Sequence, residues 1–572
     1  MPLPHELPGR ADERVLRQLV GALLFERVLE PQAAELDGTL GLEWESGGVR
    51  FRCRGSAGPF GRPRIVPGSV LMRVPGGQWV PADPRPLVEG LPTPAAYKVS
   101  LLAELDRTVA LCRWNDANLP RTPRRGMSFA DLEGALEEGH PYHPCFKARL
   151  GFDEDDHAAF GPEAGRTFRL VWLLVERSHL DQDLGGDEEA FWRAELGGRT
   201  WEELEARRAA AGKSAADYGF LPVHPWQWRS LRDRELAGWL ADGRALALGP
   251  LGDRYRASQS VRTVMNVDDP RKADVKLAMN IVNTASRRTI VPHSVCTGPA
   301  ISRWLTKVVE SDPFFDQVCP LTLRTEHAGI IADRDGPLAG QLAVLWRRSV
   351  AEALREGEAA VPFNMLMAVE TDGEPFISDW VGKFGLLPWL ERLFEIAILP
   401  VWHLLACHGI AVEAHGQNMV LVHRDGWPER LILRDFHESV EYVPEFLKDR
   451  GSVPDFAELN PVYRDAPPDR FYWSDRLDAL RELVMDTLFI YNLTEVSHLL
   501  NLHYGLPEPV FWRKVHDCLE RYARRQGLEE RHRRIGHAAQ EILTESLMRG
   551  KLLNATEELH HPVPNIFADF RG

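Results

Sequence analysis

Three absences narrow the reading of this chain before any motif is considered. Neither GxxxxGK[ST] nor GxGxxG occurs in its 572 residues, so side chains rather than a glycine loop must hold the phosphates of any nucleotide. There is no basic excess either. With 68 Lys and Arg against 83 Asp and Glu, the net charge of −15 argues against a nucleic-acid partner, which usually meets a basic face. A local basic cleft for an anionic substrate is still allowed. The seven cysteines (Cys53, Cys112, Cys145, Cys296, Cys319, Cys407, Cys518) are scattered and odd in number, with no CxxC pair and no Cys/His spacing that suggests zinc. That pattern fits a reducing cytosol. The N-terminus lacks a basic-then-apolar leader, and the longest nearly apolar run, Ile396 to Cys407, is short and broken by Pro400 and His403. The reading is therefore a cytoplasmic chain of two to four domains with no membrane span.

What is present centres on Glu413-Ala-His415-Gly-Gln417-Asn418. Apolar Met419 to Val422 follow, and then, across Asp425-Gly426, come Leu431 to Arg434, Asp435 and Phe436. Four apolar residues are too few for a helix and suit a buried strand. Asp-Gly is a reverse-turn signal between two such runs. The pattern predicts a hairpin that brings Asn418, before its first strand, near Asp435, after its second. An amide oxygen and a carboxylate there suit a hard cation such as Mg2+ carrying nucleotide phosphates. His415 and Gln417 share that space. A polar turn and an ordinary hairpin are the plainer alternative.

Upstream, apolar spacing from Val15 to Leu24 predicts an amphipathic helix over 11–30. Alternation around Gly47-Gly48 predicts a hairpin over 40–54, followed by proline-rich turns over 62–94 and a helix over 96–113. In His140-Pro-Tyr-His143-Pro-Cys-Phe-Lys147-Ala-Arg149, each proline restricts the histidine before it to extended backbone. With Lys147 and Arg149 this group could pre-set a pocket for a carboxylate. A proline-rich loop with solvated basic residues would read the same. Phe168 to Val175 reads as a central strand and 187–211 as helical. Of His224-Pro-Trp226-Gln227, Trp226 reads as a core anchor with His224 hydrogen-bonded beside it, direct contact with a ligand being the alternative.

Alternation puts Ser260 and Arg262 on one strand face with Thr263 at its end; Lys276 lies on the next segment, and Arg287-Arg288 a turn further on. Hydroxyls, a guanidinium and a lysine would make a cationic cradle for a polyphosphate. A solvated basic strand is the alternative. Beyond residue 300 the pattern is helical, with strand-like pieces at 320–324 and 363–370. Leu390 to His408 reads as an apolar helix kinked at Pro400 and closed by Gly409, and 474–503, 510–525 and 530–556 as three more helices.

In this order, over residues 139–436, these pieces resemble the NRPS-independent siderophore (NIS) synthetases of the aerobactin-synthetase type. The Glu-Ala-His-Gly-Gln-Asn string is the most specific of them. The resemblance implies an α+β cupped hand: a thumb (1–160), fingers with an antiparallel triphosphate-binding sheet (161–365) and a mainly helical palm with a kinase-like hairpin (366–572). It also implies an ATP-dependent, Mg2+-using ligase. A carboxylate (citrate, a citrate derivative or a succinyl-hydroxydiamine) would attack the α-phosphorus, giving an acyl-adenylate and pyrophosphate. An amine, hydroxylamine or alcohol would then take the acyl group and release AMP. By position in the motifs, Ser260, Arg262, Thr263 and Lys276 would hold the triphosphate, with Gln417 and Asn418 lining the nucleotide site. Arg288, with Arg287 as its rival in register, would act with His415 and Lys276 at the reacting phosphate. His140, His143 and Lys147, with Arg288, would face the carboxylate. Asp435, with Asn418 and Glu413, would carry the metal. Family members often dimerise, and the partners implied are small molecules only. His437-Glu438 departs from the small residues many relatives carry there, which leaves the subclass open. The alternative is a kinase-like phosphotransferase on a small molecule. Against it, the loop lacks the aspartate that such enzymes place just before the Asn.

Overall fold

The computed structural model describes residues 11–36, 39–137, 139–284, 286–555 and 557–570. Its two largest hydrophobic cores divide the chain. One is built from residues 170–346, while the other joins the N-terminal helix and first sheet to nearly all of the C-terminal helices.

The first of these cores lies against an eight-stranded sheet, antiparallel throughout. In spatial order its strands are Leu180–Asp183, Glu326–Ala332, Ala343–Arg347, Asp274–Leu277, Thr263–Asn266, Ala245–Ala257, Phe168–Glu176 and Tyr218–Val223. Leu170 to Val175 are buried on both faces, as a strand with neighbours on each side must be, although Phe168–Glu176 lies next to the edge rather than at the centre. Trp172, Trp192, Phe191 and Trp346 meet edge to face at 4.9–5.6 Å. The helical stretch 187–211 is two helices, split at Gly197, whose φ of 77° no helix accepts.

The hairpin read around Asp425-Gly426 is present as Met419–Arg424 and Trp427–Arg434, with both turn residues at positive φ. A side chain at Gly426 would collide with Trp380. Two further strands flank the hairpin: Leu321–Arg324 runs parallel to its second strand and Ala359–Pro362 antiparallel to its first. The helix Leu386–Ala397 packs against the second strand, and the kinked helical run ends at Gly409 (φ 78°).

Several expectations are corrected. Residues 62–94 hold three short strands and the helix Pro84–Glu89 besides turns. Phe363–Met367 is a 3-10 turn, the strand having ended at Pro362. The strands Glu326–Ala332 and Ala343–Arg347 were not foreseen, because burial on both faces leaves no alternation to read. Gly536 (φ 69°) ends the last expected helix at Ile535, and Glu541–Glu545 then pairs with His560–Pro564.

Candidate active site

Ser260 and Arg262 lie in a turn, not on a strand face. Ser258 N–H donates to Thr263 O (2.8 Å), Val261 N–H to Ser258 O (2.9 Å) and Thr263 N–H to the Ser260 hydroxyl (3.2 Å). Val261 takes φ 66°, a costly conformation for a β-branched residue. Its side chain is buried with Phe152, Trp226, Met279 and Ile281, and that packing offsets the cost. The strain turns Arg262 inward, where its guanidinium donates to Thr289 O. Thr263 then opens the next strand and pairs in register with Lys276.

Lys276 meets the hairpin across the seam between the two cores. Its ammonium reaches Asp435 Oδ1 at 2.5 Å, and Arg347 Nη2 reaches the same oxygen at 2.8 Å. Arg347 also bonds Glu326 at 2.9 Å, and His437 bridges Glu326 (3.2 Å) and Lys276 (3.2 Å). Asp435 has φ 76°, so the chain leaves the strand sharply and aims the carboxylate at the eight-stranded sheet. Burial lowers the Lys276 ammonium to about 8, with Arg262 and Arg347 pushing the same way against Asp435. Burial alone would raise Asp435, but Arg347 and Lys276 outweigh it and hold the carboxyl well below its usual range. Arg288 is lowered to about 10 by burial and by Arg262. Burial would likewise raise Glu438, yet His437, Lys276 and Arg262 bring it down to about 2.

The Glu413–Asn418 loop is fixed from beneath by a widened helix. Thr487 and Asn492, both in the π-helical segment Met485–Leu493, bond Ala414 N (3.0 Å) and Ala414 O (3.3 Å). Such segments recur at functional sites. Gly416 is required by contact, since a Cβ there would lie 1.8 Å from Asn364 Oδ1. His415 Nδ1 accepts from Gln417 N–H (3.1 Å), which leaves Nε2 3.5 Å from Glu413. The hairpin does place Asn418 beside Asp435: Arg434 N–H donates to Asn418 O at 3.0 Å. Their side chains diverge, however. The Asn418 amide turns to Glu413, which also accepts from the Ser439 hydroxyl (2.6 Å), while Asp435 turns to Lys276 and Arg347.

His140, Ser260, Arg288 and Gln417 line one enclosed cavity with Lys147 and Glu163. At about 50 Å³ it holds a few waters, so its walls must part to admit an organic acid. Arg288 faces it; Arg287 is exposed outside. Lys147 and Arg149 do not stand free. Glu163 takes Lys147 at 2.9 Å and Arg149 through two bonds of 2.8 and 2.9 Å. His140 Nδ1 accepts from Tyr142 N–H and His143 N–H, and burial lowers its ring to about 3. His143 is fully buried outside the cavity, with Nδ1 accepting from Cys145 N–H and Nε2 without a hydrogen-bond partner among the described residues. His224 plays the structural part foreseen: it caps the helix Pro225–Leu231 by accepting from Trp226 N–H, and Trp226 is buried.

Sequence reasoning missed Glu163, Glu326 and Arg347. No local motif marks them: Glu163 is tied in by Lys147 and Arg149 on the preceding loop, and Glu326 and Arg347 by partners about 90–110 residues away.

A family model described as the IucA / IucC family matches residues 128–368, and one described as a ferric iron reductase FhuF-like transporter matches residues 387–560. A curated relative from Bacillus anthracis, citryl-spermidine/3,4-dihydroxybenzoyl-citryl-spermidine:spermidine ligase, is 35% identical over 96% of this chain and 92% of its own. The chain belongs to the IucA/IucC family of siderophore synthetases. Among solved structures, the petrobactin biosynthesis protein AsbB from Bacillus anthracis str. Sterne matches this synthetase with a TM-score of 0.91 at 34% identity, over 98% of this chain and 95% of that one. The aerobactin synthetase IucC from Klebsiella pneumoniae matches at 0.83 and 23% identity, over 98% and 99%, which is a likeness of fold. Among the described residues no helix is long and apolar enough to cross a membrane, including those in the stretch matched by the transporter-like model.

Proposed function

We propose that this synthetase uses ATP to activate a carboxylate of the citrate class and passes the acyl group to a primary amine, releasing AMP and pyrophosphate. The observation that carries the reading is the convergence of Lys276 and Arg347 on Asp435, with Arg262 and Arg288 around the same seam. Such a set of buried cations is costly without an anion and suits a polyphosphate. The B. anthracis relative, named for citryl and spermidine substrates, supports the substrate classes. Its name as a ligase also disfavours the kinase-like alternative.

In this reading Ser260, Thr263, Arg262 and Lys276 bind the triphosphate and draw off charge as the acid attacks the α-phosphorus. Arg288, on the wall shared with His140 and Gln417, orients the carboxylate. His415 offers Nε2 at the junction, its ring fixed by the bond at Nδ1. No covalent protein nucleophile is needed. Mg2+ suits Asp435: Oδ1 is anchored by the two cations, while no described hydrogen bond or ion pair engages Oδ2. When bound, the ion would screen the phosphates; a single free carboxylate oxygen among cations favours its arrival with the nucleotide. The test is a pyrophosphate-release screen across candidate acids and amines, with mass spectrometry of product and nucleotide. ADP in place of AMP, or no turnover with any citrate-class acid, overturns the reading.

A further inference from the structure

Away from this cleft, four metal-binding side chains meet near the end of the helix Ser294–Ser311. Asp312 follows that helix directly, and His403, Cys407 and His408 come from the run Leu399–His403 and its π-helical extension Leu404–His408. Five residues apart in an ordinary α-helix, His403 and His408 would point about 140° apart. The wider turn brings them back toward one face. One donor atom from each of the four residues lies within 4.8 Å of the others. Asp312 Oδ2 is the focus, 2.9 Å from His408 Nε2 and 3.2 Å from His403 Nε2. A cation already stands on the open side: half-exposed Lys448 reaches Asp312 Oδ2 at 3.3 Å and Cys407 Sγ at 3.5 Å.

Outer contacts fix the donors. His403 Nδ1 bonds the Tyr522 hydroxyl at 2.6 Å, and the ring stacks on Phe314 with centroids 3.9 Å apart. Asp312 Oδ1 accepts from Phe314 N–H at 3.0 Å. Support of this kind is what sets ring orientation and tautomer in metal sites.

We propose that Asp312, His403, Cys407 and His408 form a site for a borderline divalent transition metal, Zn2+ being the best match, with the Lys448 ammonium as its competitor. Two imidazoles, a thiolate and a carboxylate suit tetrahedral zinc; at bonds of about 2.0–2.3 Å its donors stand roughly 3.3–3.8 Å apart, so Asp312 Oδ2 must draw back slightly from the two rings while the widest pairs, within 4.8 Å, close up. Mg2+, which prefers oxygen donors, would not compete. Binding releases the thiol proton and frees the ammonium to solvent; no electron is transferred. The competing account is a metal-free network of histidines on a carboxylate.

The test uses the full chain, stripped with a chelator and titrated with Co2+ and then Zn2+. One Co2+ per chain is expected, with a thiolate-to-metal charge-transfer band that Zn2+ abolishes. Cys407→Ser should remove that band, His403→Ala should weaken binding at least tenfold, and Lys448→Met should tighten it. His516→Ala, in a separate His/Glu cluster with Glu520 and His537, should change nothing. The proposal is overturned if neither the native chain nor Lys448→Met takes up either metal at micromolar levels. It is equally overturned if the band survives Cys407→Ser or is lost in His516→Ala.

Discussion

Two pairs of buried basic residues are neutralised in different ways by the fold. Lys147 and Arg149 share a buried partner, Glu163, supplied 14 residues beyond Arg149, so that group closes on itself. Lys276 and Arg347 instead find their carboxylate on another part of the chain, at Asp435. The first arrangement fastens a loop. The second holds positive charge across a seam where an arriving anion can compete for it. A cation in a motif therefore says little about binding until its counter-charge is located. The same residue type serves as a fastener in one place and as a candidate receptor in the other.

The sharpest way to break this contrast is to remove each counter-charge in turn. Glu163→Gln leaves two buried cations without their partner, and breaking such a buried pair costs about 3–5 kcal/mol. A lower denaturation midpoint is expected, with the Km for the acid little changed in the protein that remains folded. If Km rises steeply while stability holds, Lys147 and Arg149 belong to the receptor after all. Lys276→Ala should do the opposite, cutting pyrophosphate release roughly 10²–10³-fold with a modest change in midpoint. Unchanged turnover would remove Lys276 from the reacting site.

Acidity gives a subtler separation. Lys276, lowered to about 8, is charged below that pH and loses its proton above it. The free enzyme's kcat/Km for ATP should therefore fall above about pH 8, approaching tenfold per unit. Lys276→Arg, charged throughout, should flatten that limb. A profile flat to pH 10 in the native chain would mean that the triphosphate is held elsewhere.

The sequence carried the parts whose signals are local. The Asp425-Gly426 turn, the four apolar residues before it and the Glu413–Asn418 string give the hairpin and its loop without reference to the rest of the chain. Arg262 reads from the sequence as part of a cationic cradle on a strand face, and that setting is wrong. Alternation over Ser260–Thr263 mimics a strand, whereas the hydrogen bonds of Ser260 and the positive φ of Val261 make a turn. Glu326 and Arg347 were illegible because strands buried on both faces show no period, and nothing in either residue announces a partner about 90–110 positions away. Asp312 and Cys407 were passed over for the same reason: the residues beside Cys407 read as an apolar helix, and their carboxylate lies some 95 residues upstream.

The smallest effect is also the most discriminating about register. Arg287 and Arg288 are adjacent and chemically identical, so composition and motif spacing cannot choose between them. The short pairing of Ser286–Arg287 with Val282–Asn283 turns Arg287 outward to solvent, and Arg288 faces the cavity with His140 and Gln417. Exposed substitutions away from structural features typically stay within about 0.5 kcal/mol, so Arg287→Ala should alter turnover about twofold or less. Arg288→Ala, which removes a buried guanidinium from the cavity wall, should cost far more, first in Km for the acid. Equal losses in the two variants would show that the seam opens far enough during turnover for both arginines to reach the substrate.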